Sequence, residues 1–243
     1  MKIEKYKYLG NGKYKVTIGN DDYIIYEDII LKYNILGKDK VEKKELEIYL
    51  QNNKFYDAYY KAINYINIKL RCSGEIEKYL SKDFSTTTIN DVLKKLKEDG
   101  YLNEDVYTEA FIHDQINLKV VGPLKIKSDL IHLKIQEAII NKHLECYGKK
   151  TQYEKIDKVI SKELKTNKNK SVIMLKNKLL KSLIDKGFYK EDIMNCLDKY
   201  EFDDTDAYKQ EYEKLYKKLS IKYSGQELEY KIKQKLYQKG FKA

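Results

Sequence analysis

Over the first 26 residues, polar and apolar positions alternate at a period of two; from Glu27 the spacing becomes that of a helix. Ile3 to Leu9 runs into Gly10-Asn11-Gly12, a strong hairpin-turn signal. Lys13 to Ile18 alternates again, Gly19-Asn20-Asp21-Asp22 makes a second turn, and Tyr23 to Tyr26 follows. These three strands predict a small antiparallel meander that must pack on something else to be stable. Helices are predicted over 27–33, 42–50 and 57–71, the last placing Ala58, Ala62, Ile63, Ile66 and Leu70 on one face. Ser73 reads as an N-cap, with Glu75 and Glu77 complementing the helix dipole. Thr88 and Asp91 read as a capping-box-like start to a helix that buries Ile89, Val92, Leu93 and Leu96 and stops at Gly100.

The apolar pattern then repeats. The segments around Leu80, Leu130, Leu183 and Leu236 resemble one another, and these anchors lie 50, 53 and 53 residues apart. Lys186-Gly187-Phe188 and Lys239-Gly240-Phe241 close the third and fourth copies. The first has Lys82-Asp83-Phe84, one residue short, and the second Leu133-Lys134-Ile135, without glycine. A period of about 50 residues holds three short helices, so the expected fold is mainly α: an elongated, curved array of tandem three-helix repeats behind the β-meander. The expected divisions are 1–53 for the meander and its short helices, then repeats over 54–104, 105–150 and 151–205, and a partial fourth over 206–243 that lacks its last helix. Within the polar stretch 148–169 a helix is expected at 154–164, and Asp203 to Asp206 is expected to cap the last long helix.

Composition sharpens this picture. One Pro and 11 Gly in 243 residues argue against a turn-rich β-sandwich or barrel. No apolar run approaches the ~20 residues that span a bilayer, and Met1 to Lys5 opens no signal peptide. Cys72, Cys146 and Cys196 are odd in number, far apart and without a CxxC, which points to a reduced cytoplasmic protein. The net charge is +10, and residues 206–243 hold 10 basic against 5 acidic side chains, half of the excess. A basic end suits a polyanion; it also suits a merely solvated helix.

Order and spacing of residues over essentially the whole chain resemble the RecX family in its longer Gram-positive form. The resemblance is carried by Leu70-Arg71-Cys72-Ser73, Val92-Leu93-Lys94-Lys95-Leu96, Gly100-Tyr101-Leu102-Asn103-Glu104, Tyr107 with Ala110, Gly122-Pro123, Lys186-Gly187-Phe188, and Gln234 through Phe241. It implies a modulator without chemistry of its own. RecX-like proteins bind the RecA recombinase, its filament on single-stranded DNA and, more weakly, DNA itself. They lodge in the filament groove and limit its extension, lowering ATPase and strand exchange and damping the SOS response. The basic residues expected after Gly-Pro are thinner here, with Leu124-Lys125-Ile126-Lys127.

Candidate contacts with RecA or DNA are therefore Arg71, Lys125, Lys127, Lys209, Lys214, Lys217, Lys218, Lys233 and Lys235. Arg71, the only Arg, has a plainer reading as the cation at a helix end; the lysines have one as solvated surface. Tyr208, Tyr212 and Tyr216 recur every fourth residue beside lysines, a spacing that suits a buried helix face first and stacking on unpaired bases second. Gly10-Asn11-Gly12 lacks the pattern of a phosphate loop. His143 and Cys146 lie three apart but do not close a metal site. No catalytic group, metal or cofactor is expected, and a monomer is. Two other function classes remain open at this stage: a stand-alone DNA binder built from helix-turn-helix-like units, and a helical scaffold for an unrelated partner.

Overall fold

The structure, a computed structural model, describes residues 1–242 and is mainly helical, with one small sheet near its start. It divides into two compact units: Met1–Tyr107 together with Leu133–Ile135, and Thr108–His132 together with the chain from Gln136 onward.

In the first unit β1 (Ile3–Gly10), β2 (Lys13–Ile18) and β3 (Asp21–Tyr26) form an antiparallel meander in that order. Its turn is the predicted one: Gly10, Asn11 and Gly12 all have positive φ. Val16, Ile18 and Ile25 of the sheet bury against Ile29 and Ile30 of α1 (Glu27–Tyr33) and against Leu46 and Tyr49 of α2 (Lys43–Ile66). A short 3₁₀ turn, Ile35–Gly37, joins α1 to α2.

Helix α2 corrects the sequence reading. It is one helix of 24 residues where two were expected, at 42–50 and 57–71, and it ends at Ile66 rather than Arg71. The polar run Gln51-Asn52-Asn53 reads as a break, but Asn53 is spent on tertiary pairing. Its Oδ1 accepts from the Tyr26 amide at 2.8 Å and its Nδ2 donates to the Ile24 carbonyl at 2.9 Å, stitching the helix to β3. Two N-caps also move. Cys72, not Ser73, caps α3 (Ser73–Leu80), with Glu75 reaching back to the Cys72 amide at 3.4 Å. Ser85, not Thr88, caps α4 (Thr86–Glu98), its hydroxyl accepting from the Thr88 amide at 3.3 Å. The core of this region is Ala58, Ala62, Ile76, Leu80, Ile89, Val92 and Leu96.

The division between units falls within α5 (Glu104–Leu118). The second unit continues with α6 (Pro123–His132), α7 (Glu137–Leu144), α8 (Lys149–Thr166), α9 (Val172–Asp185), α10 (Lys190–Leu197), α11 (Thr205–Leu219) and α12 (Gly225–Gln238). Helix α8 is 18 residues long, well beyond the expected 154–164. Part of the extra length is held by side chains: Lys149 at its start pairs with buried Asp192, and Lys178 with Glu163 near its end. No helix among the described residues is long and apolar enough to cross a membrane.

The repeat anchors are core residues: Leu80 is 1% exposed and Leu130, Leu183 and Leu236 are 0% exposed. The turn after each anchor explains the recurring Gly-Phe. The Leu183 carbonyl accepts from the Phe188 amide and the Leu236 carbonyl from the Phe241 amide, both at 3.1 Å, across left-handed Gly187 (φ +85°) and Gly240 (φ +77°). The shorter first copy bonds the Phe84 amide to the Leu80 carbonyl one residue sooner, without a left-handed residue. The second copy places Lys134 at φ +63° where the third and fourth have glycine.

Three of these turns are also where another helix start docks. Inside the second unit the Gly122 amide donates to the Lys186 carbonyl at 2.8 Å and the Leu124 amide to the Gly187 carbonyl at 3.0 Å. A Cβ on Gly122 would lie 2.2 Å from the Gly187 oxygen, so a side chain is excluded there. Ser171, at the start of α9, donates its hydroxyl to the Lys239 carbonyl at 2.7 Å. Inside the first unit a Cβ on Gly74 would meet the Leu133 carbonyl at 2.2 Å.

Two stability predictions follow from these turns. Gly122→Ala forces backbone apart and should cost about 2–3 kcal/mol, whereas Gly148→Ala, with open space around it, should be close to neutral. Urea midpoints of the two variants check this. Lys134→Gly should stabilise by about 0.5–1 kcal/mol by relieving the left-handed strain. The Lys134–Glu77 pair that it loses, with the lysine side chain 66% exposed, contributes less than ~1 kcal/mol. A lowered thermal midpoint for this variant would contradict the assignment.

Candidate functional site

The nine candidate residues fall into two groups. Arg71 lies in the extended link between α2 and α3, so it is not the helix-end cation that the sequence suggested. Its guanidinium sits 3.7 Å from the centre of the Tyr65 ring, which itself stacks on Tyr79 at 4.2 Å and 14°. Its Nη1 donates to Glu75 Oε1 at 3.1 Å, and the residue is 8% exposed. The same Glu75 closes the capping box of α3, so Arg71 ties the end of the link to the start of that helix. Beside it, burial pushes the Tyr107 hydroxyl and the Cys72 thiol upward in pKa.

Lys125 and Lys127 follow Gly122-Pro123 on the first turns of α6, as expected, but both are engaged. Lys125 pairs with Asp129 at 2.9 Å, one turn on, and Lys127 pairs with Glu137 of α7 at 3.0 Å and Asn141 at 3.3 Å.

The other six lie on one hairpin, α11 and α12. Thr205 donates backbone and side-chain bonds to Asp203 where α11 begins, and these, with a smaller contribution from Lys209, hold the Asp203 carboxyl below its ordinary range. Ala207, Leu215 and Leu219 of α11 bury against Leu228, Ile232 and Leu236 of α12, and Phe241 closes the end. Lys209, Lys214, Lys217, Lys218, Lys233 and Lys235 are exposed. The last five form no ion pair among the described residues. Salt bridges that hold the other candidates leave this hairpin with the unspent cations.

Tyr208, Tyr212 and Tyr216 are not the buried face that their spacing suggested. The buried positions are one register away, at Ala207, Leu215 and Leu219, which leaves Tyr208 and Tyr212 half-buried and Tyr216 exposed. Tyr230, a residue the sequence reading passed over, is exposed too. Its signal was present: with Leu228, Ile232 and Leu236 buried, Tyr230, Lys233 and Tyr237 share the outer face of α12 at i, i+3, i+7.

None of the three thiols is activated. Burial raises Cys72 and Cys146 and pushes Cys196 up to about 11, so all stay protonated at neutral pH. Among the described residues no three His, Cys, Asp or Glu side chains gather as a metal site. What the geometry offers is a contact surface made of lysine and tyrosine.

No protein-family model matches the chain. Curated relatives do. The regulatory protein RecX of Bacillus cytotoxicus is 31% identical over 225 residues, covering 90% of this chain and 83% of that protein. The regulatory protein RecX of Bacillus cereus is 33% identical over 219 residues, covering 88% and 81%. The chain belongs to the RecX family. The fold agrees: a crystal structure of regulatory protein RecX superposes with a TM-score of 0.70 at 20% identity, over 82% of this chain and 100% of that one. RecX from Lactobacillus salivarius gives 0.54 at 27% identity, over 60% and 95%.

Because Arg71 is both stacked and paired, Arg71→Ala should destabilise the first unit by about 2 kcal/mol. Arg71→Lys should not fully rescue it, since an ammonium cannot lie flat on the Tyr65 ring. Denaturant unfolding measures both; an unchanged midpoint for Arg71→Ala would show that the guanidinium is not structural.

Proposed function

We propose that the chain regulates the RecA recombinase by binding RecA and its filament on single-stranded DNA. It acts as a monomer, limits filament extension, and so modulates ATPase, strand exchange and SOS induction. The observation that carries the reading is membership of the RecX family over nine-tenths of the chain. The charge distribution supports it. The paired lysines of α6 leave that helix little free charge with which to read a duplex, and among the candidate residues the lysines without an ion pair lie on the α11–α12 hairpin.

A regulator of a polymer has different needs from an enzyme. It must touch several protomers weakly rather than one substrate tightly, and linked weak contacts gain from high effective concentration. Tandem helical units supply such contacts without a deep pocket. In this reading the basic hairpin lies near the filament's DNA, where its phosphate contacts add a salt-sensitive contribution.

The test is DNA-dependent ATP hydrolysis by RecA on single-stranded DNA with the full chain titrated in. Substoichiometric amounts should suppress hydrolysis several-fold, and a pull-down of RecA should survive nuclease treatment. An unchanged ATPase and unchanged filament assembly across a wide concentration range would overturn the reading.

A further inference from the structure

The α11–α12 hairpin carries a second feature beside its charge. Tyr208, Tyr212 and Tyr216 form a ladder, with ring centres 6.4 Å apart at 22° and then 6.3 Å apart at 20°. The ladder is fixed at its inner end. Tyr208 packs edge-on against Phe241 at 5.8 Å, and the Tyr212 hydroxyl donates to Glu229 of α12 at 2.7 Å. Its outer ring is free: Tyr216 is 46% exposed.

Tyr216 separates two depressions. On one side is an apolar notch of about 210 Å³ lined by Tyr212, Glu213, Tyr216 and Lys217. On the other is a groove of about 640 Å³ whose walls include Tyr216, Tyr230 and Lys233, with Tyr230 65% exposed. Each depression thus pairs an exposed aromatic ring with a lysine that forms no ion pair. The ring separation in the ladder is close to twice the ~3.4 Å stacking rise of a nucleic acid strand.

We propose that this face binds single-stranded DNA, with unpaired bases stacked on Tyr216 and Tyr230 and phosphates on Lys217 and Lys233. Aromatic faces take bases of any sequence once they are unstacked, and neighbouring lysines follow the backbone. A duplex hides its base faces and would engage the lysines alone. Two carboxylates border the face. Glu229 is already used by the Tyr212 hydroxyl, whereas Glu213 lies in the notch and repels phosphate, which places the strand's backbone on the Lys217 side. The proposal deepens the reading of the chain as a RecA-filament regulator and rests on it for the source of the strand, but the site itself needs no RecA.

The test is fluorescence anisotropy of a labelled oligothymidine and of a duplex of equal length, with the full chain, at several salt concentrations and without RecA. The single strand should bind more tightly than the duplex. Tyr216→Leu, which keeps the fold because the ring is exposed, should weaken single-strand binding about tenfold and leave duplex binding unchanged. Tyr216→Phe should bind as the unaltered chain does, and Glu213→Gln should bind more tightly. Equal binding of strand and duplex, or a Tyr216→Leu variant that binds the strand normally while thermal unfolding shows it intact, overturns the proposal. Because RecA is absent, suppression of RecA ATPase without strand binding removes this site and spares the functional reading. Strand binding without any effect on RecA does the reverse.

Discussion

The array rests on a close approach of backbone to backbone. A helix start meets the turn that follows another helix, at a distance that leaves no room for a side chain. Gly122 against Gly187 is the clearest case: two amides of one segment donate to two carbonyls of the other, and a Cβ on either glycine would collide with opposing backbone. Such contacts satisfy carbonyls that a helix end would otherwise leave open. They also fix the distance between helices, and that distance determines which side chains can form the core. A unit of three short helices cannot bury enough apolar surface alone, so rigid joints between successive segments are what let anchors such as Leu130 and Leu183 become fully buried.

This constraint explains which parts of the fold were legible in the sequence. The anchors were visible because a fully buried position needs an apolar residue at every turn of the helix. Gly-Phe was visible because a left-handed turn at the end of a helix favours glycine and the next ring is buried. The copy that departs shows how much the pattern tolerates: Lys134 takes the left-handed conformation without being glycine, and its Nζ reaches both Glu77 oxygens at 2.7 Å. Local rules failed where a distant partner decided the outcome. Asn53 looks like a helix breaker until β3 is placed beside it, and nothing within α2 announces that partner. Ser85 and Cys72 displaced the expected caps by a few residues because several neighbouring polar side chains offered comparable cap chemistry.

The candidate contact residues were legible as residue types and much less so as a site. A lysine's availability depends on whether the fold supplies a carboxylate within reach. Asp129 lies one turn from Lys125, and packing brings Glu137 to Lys127. Arg71 is consumed in the same way by Glu75 and Tyr65. The charge count located the basic excess at the end of the chain, but it could not show that particular lysines elsewhere, such as Lys125 and Lys127, are neutralised in place. For the tyrosine ladder the periodicity was right and the register was wrong. A stripe at i, i+4, i+8 fixes a common face, and only the position of the neighbouring helix determines whether that face turns inward.

The same logic bears on the α11–α12 hairpin. Its Lys239 pairs with Glu211, whereas Lys214, Lys217, Lys218, Lys233 and Lys235 form no ion pair among the described residues. Tyr216, Tyr230 and Tyr237 with Ile221 put a good deal of apolar surface into water, and such surface is a liability unless a partner uses it. Closely spaced lysines keep that surface soluble by mutual repulsion and would attract a polyanion to it. Exposed rings and unspent cations thus stand together on this hairpin, and they are the chemistry that an unpaired nucleic acid strand can complete.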